Sequence, residues 1–548
     1  MKFKELKFSK FLSKISTIHG LSYIGDGKAS RFSKLFWISA FICSFLGCFF
    51  FFLQVYEKVF VVPDISIKID HRPLNEFPFP AITICPQNKF PYESINYNQN
   101  LDKLRNFINM TETEKEEMEL AFQSCQSHLG FVGSDLKFNY SCAKLVEKLS
   151  EKQFQDEILL NGHWEFDKSD YLKDYINRVL TFDGFCFTFN QLNFNEIFTN
   201  QIHEDFEVYK HKYSSNWSVT SGYLTSNSNY PFKMQENKKS VLIWLEPNDT
   251  KIDKFCSNYQ RGFQIFWHSP GEILTPWIPS ININSVNRKF QIFLKVKSFK
   301  MSPELQKYNV KYRQCYFDGE KKLKFFKIYT EKNCKFECLA NITLSKCGCV
   351  RYYMPRDNIT RICQSIHLPC VNRAYNTFIN DHQQCNCLTA CNYVEYELIS
   401  IEKSKIFSEY LQMMNDKVVY TFKNFFKMAY PNFTQNEANR MIENLLENIE
   451  SHEDGFVKVN KQTLKVSKRP NITYLNPIIM KGNVEERTSF SAYQMQQFIS
   501  DFGGLLSLAM GCSILSIVEI IYNAFNVKNE PEPEDEKDKD EEKVEENN

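Results

Sequence analysis

The most constraining stretch of this 548-residue chain lies near its end. Phe498 to Phe525 reads FISDFGGLLSLAMGCSILSIVEIIYNAF, and beyond Phe502 it carries one charge, Glu519. An α-helix rises ~1.5 Å per residue, so ~20 apolar residues cross the hydrocarbon core of a bilayer. The pattern predicts a membrane-crossing helix over 498–525. Its interior is small and weakly polar, with Gly503, Gly504, Ser507, Ala509, Gly511, Cys512, Ser513 and Ser516. Small residues let helices approach closely in lipid, where burying apolar side chains gives no net driving force. Several such helices meeting at Gly511-Cys512-Ser513 would expose backbone carbonyls and a hydroxyl. Non-helical backbone at that depth is tolerated only where protein buries it or water wets it. The stretch fits a pore constriction, and it also fits a small-xxx-small packing face.

A second apolar run, Leu35 to Tyr56, has no charge and the length of a span. Residues 1–34 carry Lys2, Lys4, Lys7, Lys10, Lys14, Lys28, Arg31 and Lys34 against Glu5 and Asp26. This lead is too long and polar for a cleaved signal peptide. By the positive-inside rule it places the N-terminus in the cytoplasm. Two spans return the C-terminus to the same side and leave residues 57–497 outside.

Cysteines and sequons support that topology independently. Of 18 cysteines, Cys43, Cys48 and Cys512 lie in the apolar runs, and every other one falls between Cys85 and Cys391. Such density implies an oxidising compartment and a disulfide framework. Zinc is the structural rival for Cys-x3-Cys and Cys-x-Cys spacings, but outside the cell disulfides are favoured. Asn-x-Ser/Thr sequons begin at Asn109, Asn139, Asn216, Asn248, Asn341, Asn358, Asn432 and Asn471, all between the two runs. Glycosylation is expected there. The net charge of +1 argues against a nucleic-acid partner. No catalytic constellation stands out, so an enzyme is not expected.

Between the runs, Ile65, Ile67 and Ile69 alternate with polar residues and predict a half-buried strand. FPFPAITICPQN follows, its prolines framing a short β-branched strand that carries Cys85. Asp102 to Phe122 and Ser141 to Phe166 read as charged amphipathic helices. GFCFTFN, Gly184 to Asn190, reads as a strand, as do the segment from Arg261 and Lys289 to Met301. A dense cysteine cluster runs from Cys315 to Cys391. Lys403 to Glu450 is mostly helical in period, broken at Pro431. The tail 526–548 is a charge run too polar to bury a core, so it is solvated.

FPFPAITIC, GFCFTFN, the cysteine cluster and GGLLSLAMGCSILSIVEI, in that order along the chain, resemble the degenerin / epithelial sodium channel family. Pro-Phe-Pro-Ala-x-Thr-x-Cys is most similar to the invertebrate, pickpocket-like branch. The resemblance implies a trimeric, amiloride-sensitive, sodium-selective channel subunit of the plasma membrane, with two spans, both termini cytoplasmic and no cofactor. It implies a disulfide-rich α+β ectodomain of palm, β-ball, finger (about 92–183), thumb (about 315–395) and knuckle (about 403–450). It gives Gly511, Cys512 and Ser513 the role of selectivity filter, and His19, Gly20, Ser500 and Asp501 roles in gating. It makes Glu519 one member of an acidic pore ring. It also suggests disulfides joining Cys85 to Cys186, Cys315 to Cys391, Cys334 to Cys387, Cys338 to Cys385, Cys347 to Cys370 and Cys349 to Cys363. Cys125 is then expected with Cys142, leaving Cys256 free. The tail lacks the Pro-Pro-x-Tyr motif of epithelial sodium channel tails. An ATP-gated trimeric channel and a two-span lipid receptor share the topology and are the rival readings.

Overall fold

A computed structural model describes residues 20, 23–24, 29–87, 89–90, 111–124, 142–145, 148, 176–215, 217–223, 230–234, 243–245, 262–284, 288–380, 385–405, 449–451, 456–459, 462–465, 473–480 and 482–526. The chain divides into two units. The first takes in residues up to Ile67, Ser302–Arg313, and Ser489 onward; the second takes in Lys68–Met301 and Gln314–Thr488.

In the first unit, α1 runs from Arg31 to Phe60, longer at each end than the apolar run 35–56. Ser30 caps it, its side chain accepting the Ser33 amide at 3.2 Å, which satisfies one of the orphan donors of the first turn. The helix is long and apolar enough to cross a membrane, and most of it lies exposed in the single chain. The 498–525 run differs from the single helix expected. It forms α5, Met495–Met510, and α6, Ile514–Asn526, with a break at residues 511–513. The helices α2 (Glu112–Ser124), α3 (Glu331–Cys347) and α4 (Leu368–Asn380) belong to the second unit.

The second unit is layered. A short strand pair, β3 (Ile176–Thr181) and β4 (Gly184–Phe189), continues through β2 (Ala81–Pro86) to β6 (Phe263–His268) and β7 (Ser280–Ile283) in an antiparallel five-stranded sheet. A second sheet is built on the long strand β8, Arg288–Met301, whose side chains alternate between buried and half-buried. β8 pairs antiparallel with β9 (Tyr393–Lys405) and parallel with β10 (Thr473–Ile479). The sheet runs on through β11 (Val484–Ser491) to β1 (Ile65–Arg72) on one side and to β5 (Ile243–Leu245) beyond β10. Buried Glu486 on β11 bridges Arg72 of β1 (3.2 Å) and Lys300 of β8 (2.7 Å). Lys403–Lys405 end β9 as strand, and the rest of the segment expected to be helical up to residue 448 lies outside the described residues.

Alternation decides what each face of β2 buries. Ile82 and Ile84 point with Phe187, Phe189, Ile265 and Trp267 toward Phe290, Ile292, Leu294 and Val296 of the second sheet. Cys85, Cys186 and Phe266 point the other way, into a cluster with Phe336 and Leu339 of α3 (Glu331–Cys347) and Phe378 of α4 (Leu368–Asn380). Every residue of β2 and β4 is therefore buried. Full burial of one such side chain contributes about 2 kcal/mol, so Ile84→Ala is disruptive in a layer with no room to relax.

The two short motifs are cross-linked side by side. Thr83 and Thr188 share a hydrogen bond of 2.8 Å, and Cys85 and Cys186 a disulfide. Asn190 sits at φ +64° and ties the Phe79 carbonyl to the Phe232 amide. Gly184 takes φ +86° at the β3–β4 turn, where a side chain is strained. Ile67 and Ile69 differ from the half-buried reading: β1 forms, but they are 63% and 54% exposed. β1 is the edge strand of its sheet, paired on one side only.

Candidate pore segment and disulfide layer

Gly511 ends α5 because it accepts a left-handed conformation, φ +64°. Its amide reaches the Ser507 carbonyl at 2.9 Å, and the Cys512 amide the Leu506 carbonyl at 3.3 Å. Ser513 opens α6. Its hydroxyl accepts the Ser516 amide at 3.2 Å, and the Ser516 hydroxyl accepts the Ser513 amide at 3.1 Å. This reciprocal pair is a capping box with serine in the place of the usual glutamate. The three residues named from the sequence are thus the whole of the break, and the Ser-x-x-Ser spacing of Ser513 and Ser516 is its local sequence signal. Neither α5, of 16 residues, nor α6, of 13, is long enough to cross a bilayer alone. Cys512 is half-buried and free. Glu519 is half-buried on α6.

On α5, Ser500 is exposed. Asp501 accepts the Tyr493 hydroxyl and, at 3.0 Å, the Gln497 amide nitrogen. Nothing in the sequence pointed to Tyr493 as its partner. α5 lies against α1 through rings: Phe502 to Phe52 with centroids 5.1 Å apart, Phe498 to Phe60 at 5.8 Å. Gly20 takes φ +90°, its carbonyl accepting the Ile24 amide at 3.3 Å, while Tyr23 stacks on Trp37 at 4.6 Å. His19 lies outside the described residues.

In the second unit, α3 starts at Thr330, whose side chain caps the Asn333 amide, and stops at Gly348, φ +70°. The structure joins Cys315 to Cys391, Cys334 to Cys387, Cys338 to Cys385, Cys347 to Cys370 and Cys349 to Cys363, besides Cys85 to Cys186. Their Cα separations lie between 4.4 and 5.9 Å, the range disulfide geometry demands. Cys142 overturns the pairing expected for it. It is a free thiol, packed with Phe90, Met118, Leu180 and Tyr352, and burial pushes its pKa up to about 12. Cys125 and Cys256 lie outside the described residues.

Among the described residues one metal-like cluster occurs, Cys85, Asp183 and Cys186. Its sulfurs are bonded to each other, and Asp183 pairs with buried Lys89 at 2.5 Å, so it offers no ligand set. Of the sequons, Asn341 and Asn358 are described and exposed, the latter at the tip of a turn in which Asp357 accepts the Thr360 amide and hydroxyl. Asn109, Asn139, Asn216, Asn248, Asn432 and Asn471 lie outside the described residues.

One helix long and apolar enough to cross a membrane, in a chain with a disulfide-rich α+β body, fits a membrane protein. The profile of the amiloride-sensitive sodium channels matches residues 12–523, and the chain belongs to that family. It is a sodium channel subunit and not an enzyme, which sets aside the ATP-gated channel and the lipid receptor. It is 25% identical to pickpocket protein 28 of Drosophila melanogaster over 523 residues, 93% of this chain and 77% of the relative. It is 21% identical to the sodium channel protein Nach of the same fly, covering 92% and 85%. Epithelial sodium channel subunit gamma of Pan troglodytes is 19% identical, covering 90% and 75%.

Proposed function

We propose that the chain is one subunit of a trimeric, sodium-selective channel of the plasma membrane. It crosses twice, through α1 and through α5–α6 taken together, and both termini are cytoplasmic. Gly511, Cys512 and Ser513 form the constriction, and Glu519 lines an acidic ring on its inner side. His19, Gly20, Ser500 and Asp501 belong to the gate. The body between the spans is the glycosylated ectodomain, with the palm, β-ball, finger, thumb and knuckle of the family, and amiloride is the expected blocker.

The observation that carries this reading is the capped break at residues 511–513. Two helix ends meet there: the amides of the break turn back onto α5 or onto the Ser516 cap, while carbonyls in the last turn of α5 lose the amides that a continuing helix would supply. At bilayer depth such backbone is tolerated only where it is buried in protein or lines water. Small side chains on either side let three copies approach closely.

Cys512 supplies the test. A small cationic methanethiosulfonate applied to the expressed channel is expected to reduce sodium current through reaction at Cys512, and Cys512→Ser to abolish the effect. Full current with Cys512 labelling verified removes its side chain from the conduction path.

A further inference from the structure

The break leaves carbonyls in the last turn of α5 without the amides that another turn of helix supplies. Gly511 and Cys512 turn back to Ser507 and Leu506. The Ala509 carbonyl takes a donor from elsewhere: the hydroxyl of Ser44, on α1. Ser39, on the same helix, spends its hydroxyl on the Phe36 carbonyl of its own helix at 2.8 Å. Ser44 reaches across instead.

The register of the two helices brings this about. Phe52 stands against Phe502, with ring centroids 5.1 Å apart. From Phe52 back to Ser44 is a climb of ~12 Å along α1, and from Phe502 on to Ala509 ~10 Å along α5. The helices run antiparallel, so the packing that pairs the rings also sets Ser44 beside Ala509. A serine hydroxyl that satisfies a neighbouring helix is an established glue between apolar helices.

We infer that Ser44 is a positioning residue for permeation. Its hydroxyl holds the Ala509 carbonyl and thereby fixes the turn that presents Gly511, Cys512 and Ser513. This rests on the reading of those residues as the constriction. Without the donor, the carbonyl seeks water, the turn gains freedom, and the constriction discriminates less between sodium and potassium.

Ser44→Thr and Ser44→Val test this, since they match in shape and differ in the hydroxyl. Reversal potentials under sodium and potassium give the permeability ratio. The rate at which an impermeant thiol reagent modifies Cys512, scored by mass spectrometry of surface protein, gives the order of the turn without needing current. Ser44→Val is expected to lower the sodium-to-potassium ratio and to speed Cys512 modification, each by roughly 3- to 10-fold, the scale of one ordinary hydrogen bond. Ser44→Thr is expected to keep wild-type values. Wild-type behaviour in Ser44→Val, or equal change in both variants, overturns the role of the hydroxyl. If Cys512 of the wild type reacts without any effect on current, the constriction reading itself fails, and this role fails with it.

Discussion

Arg356 and Asp205 form an ion pair with side chains 0% and 1% exposed. The Arg356 guanidinium also donates to the Tyr352 carbonyl at 2.7 Å, and Asp205 accepts the Ala143 amide at 3.3 Å. The pair thus ties the loop after α3 to the turn at Asp205 and to the short helical stretch at Cys142. Taking both charges out of water costs about what their attraction returns.

Removing one partner is therefore far worse than removing both. Asp205→Ala leaves a buried guanidinium unneutralised and is expected to cost about 3–5 kcal/mol. The double change Asp205→Leu with Arg356→Met should recover much of that loss. Thermal unfolding of the detergent-solubilised protein checks it. Two variants equally destabilised would mean the pair itself supplies net stability.

His268 is expected to make the disulfide-rich body less stable in acid. It is wholly buried, Nε2 against the Thr83 hydroxyl at 2.9 Å and Nδ1 against the Ser269 carbonyl at 3.0 Å. Burial first, then Lys332, lowers its pKa to about 4. The folded state therefore binds its proton less readily than the unfolded chain, whose histidine titrates near 6.5. Its contribution is complete above pH 6.5 and is lost as pH falls toward 4, roughly 3 kcal/mol in all. His268→Gln, which keeps a hydrogen bond but does not titrate, should flatten the fall in melting temperature between pH 7.5 and 5. An unchanged slope would place the acid sensitivity in other groups.

How much of this was legible depends on which residues carry a periodic or compositional signal. α1 was legible because uncharged length alone marks a span, and the strand β8 because apolar and polar residues alternate along it. The positions in the disulfide ladder were legible as a cluster, although spacing alone left the partners open. The break was not, because Gly511 and Ser513 are small enough to read as part of one apolar run. Their backbone conformation and the Ser516 cap decide it, and both are local. Ile67 and Ile69 alternate as a half-buried strand does, yet an edge position leaves them uncovered. Cys142 was paired by elimination, whereas an apolar cluster took it. Contacts such as Ser44 with Ala509 or Asp205 with Arg356 join residues more than a hundred positions apart, beyond the reach of any local pattern.

Ser500 is exposed on the single chain, on the helix proposed to form the second span. If that face closes against neighbouring subunits, bulk there is not accommodated in the shut state. Ser500→Phe is expected to raise resting sodium current severalfold at equal surface expression. Voltage-clamp recording beside surface biotinylation checks this, and unchanged resting current would free Ser500 from the gate.

Glu519 follows Ser513 by six residues on α6, ~9 Å further along the helix axis. A carboxylate within an apolar helix faces a wet cavity or the bundle interior, because desolvation is costly. Three copies around the proposed axis make an acidic ring, which concentrates cations at the inner mouth and repels anions. The alternative is an interfacial glutamate that reaches water at the membrane edge. The two differ in their dependence on salt. A ring acts through a field that ions screen, over ~30 Å at 0.01 M but ~8 Å at 0.15 M. Glu519→Gln is therefore expected to lower single-channel conductance about twofold in dilute sodium and only slightly in concentrated sodium. Equal conductance of mutant and wild type at both concentrations would place Glu519 at the interface, outside the path of the ions.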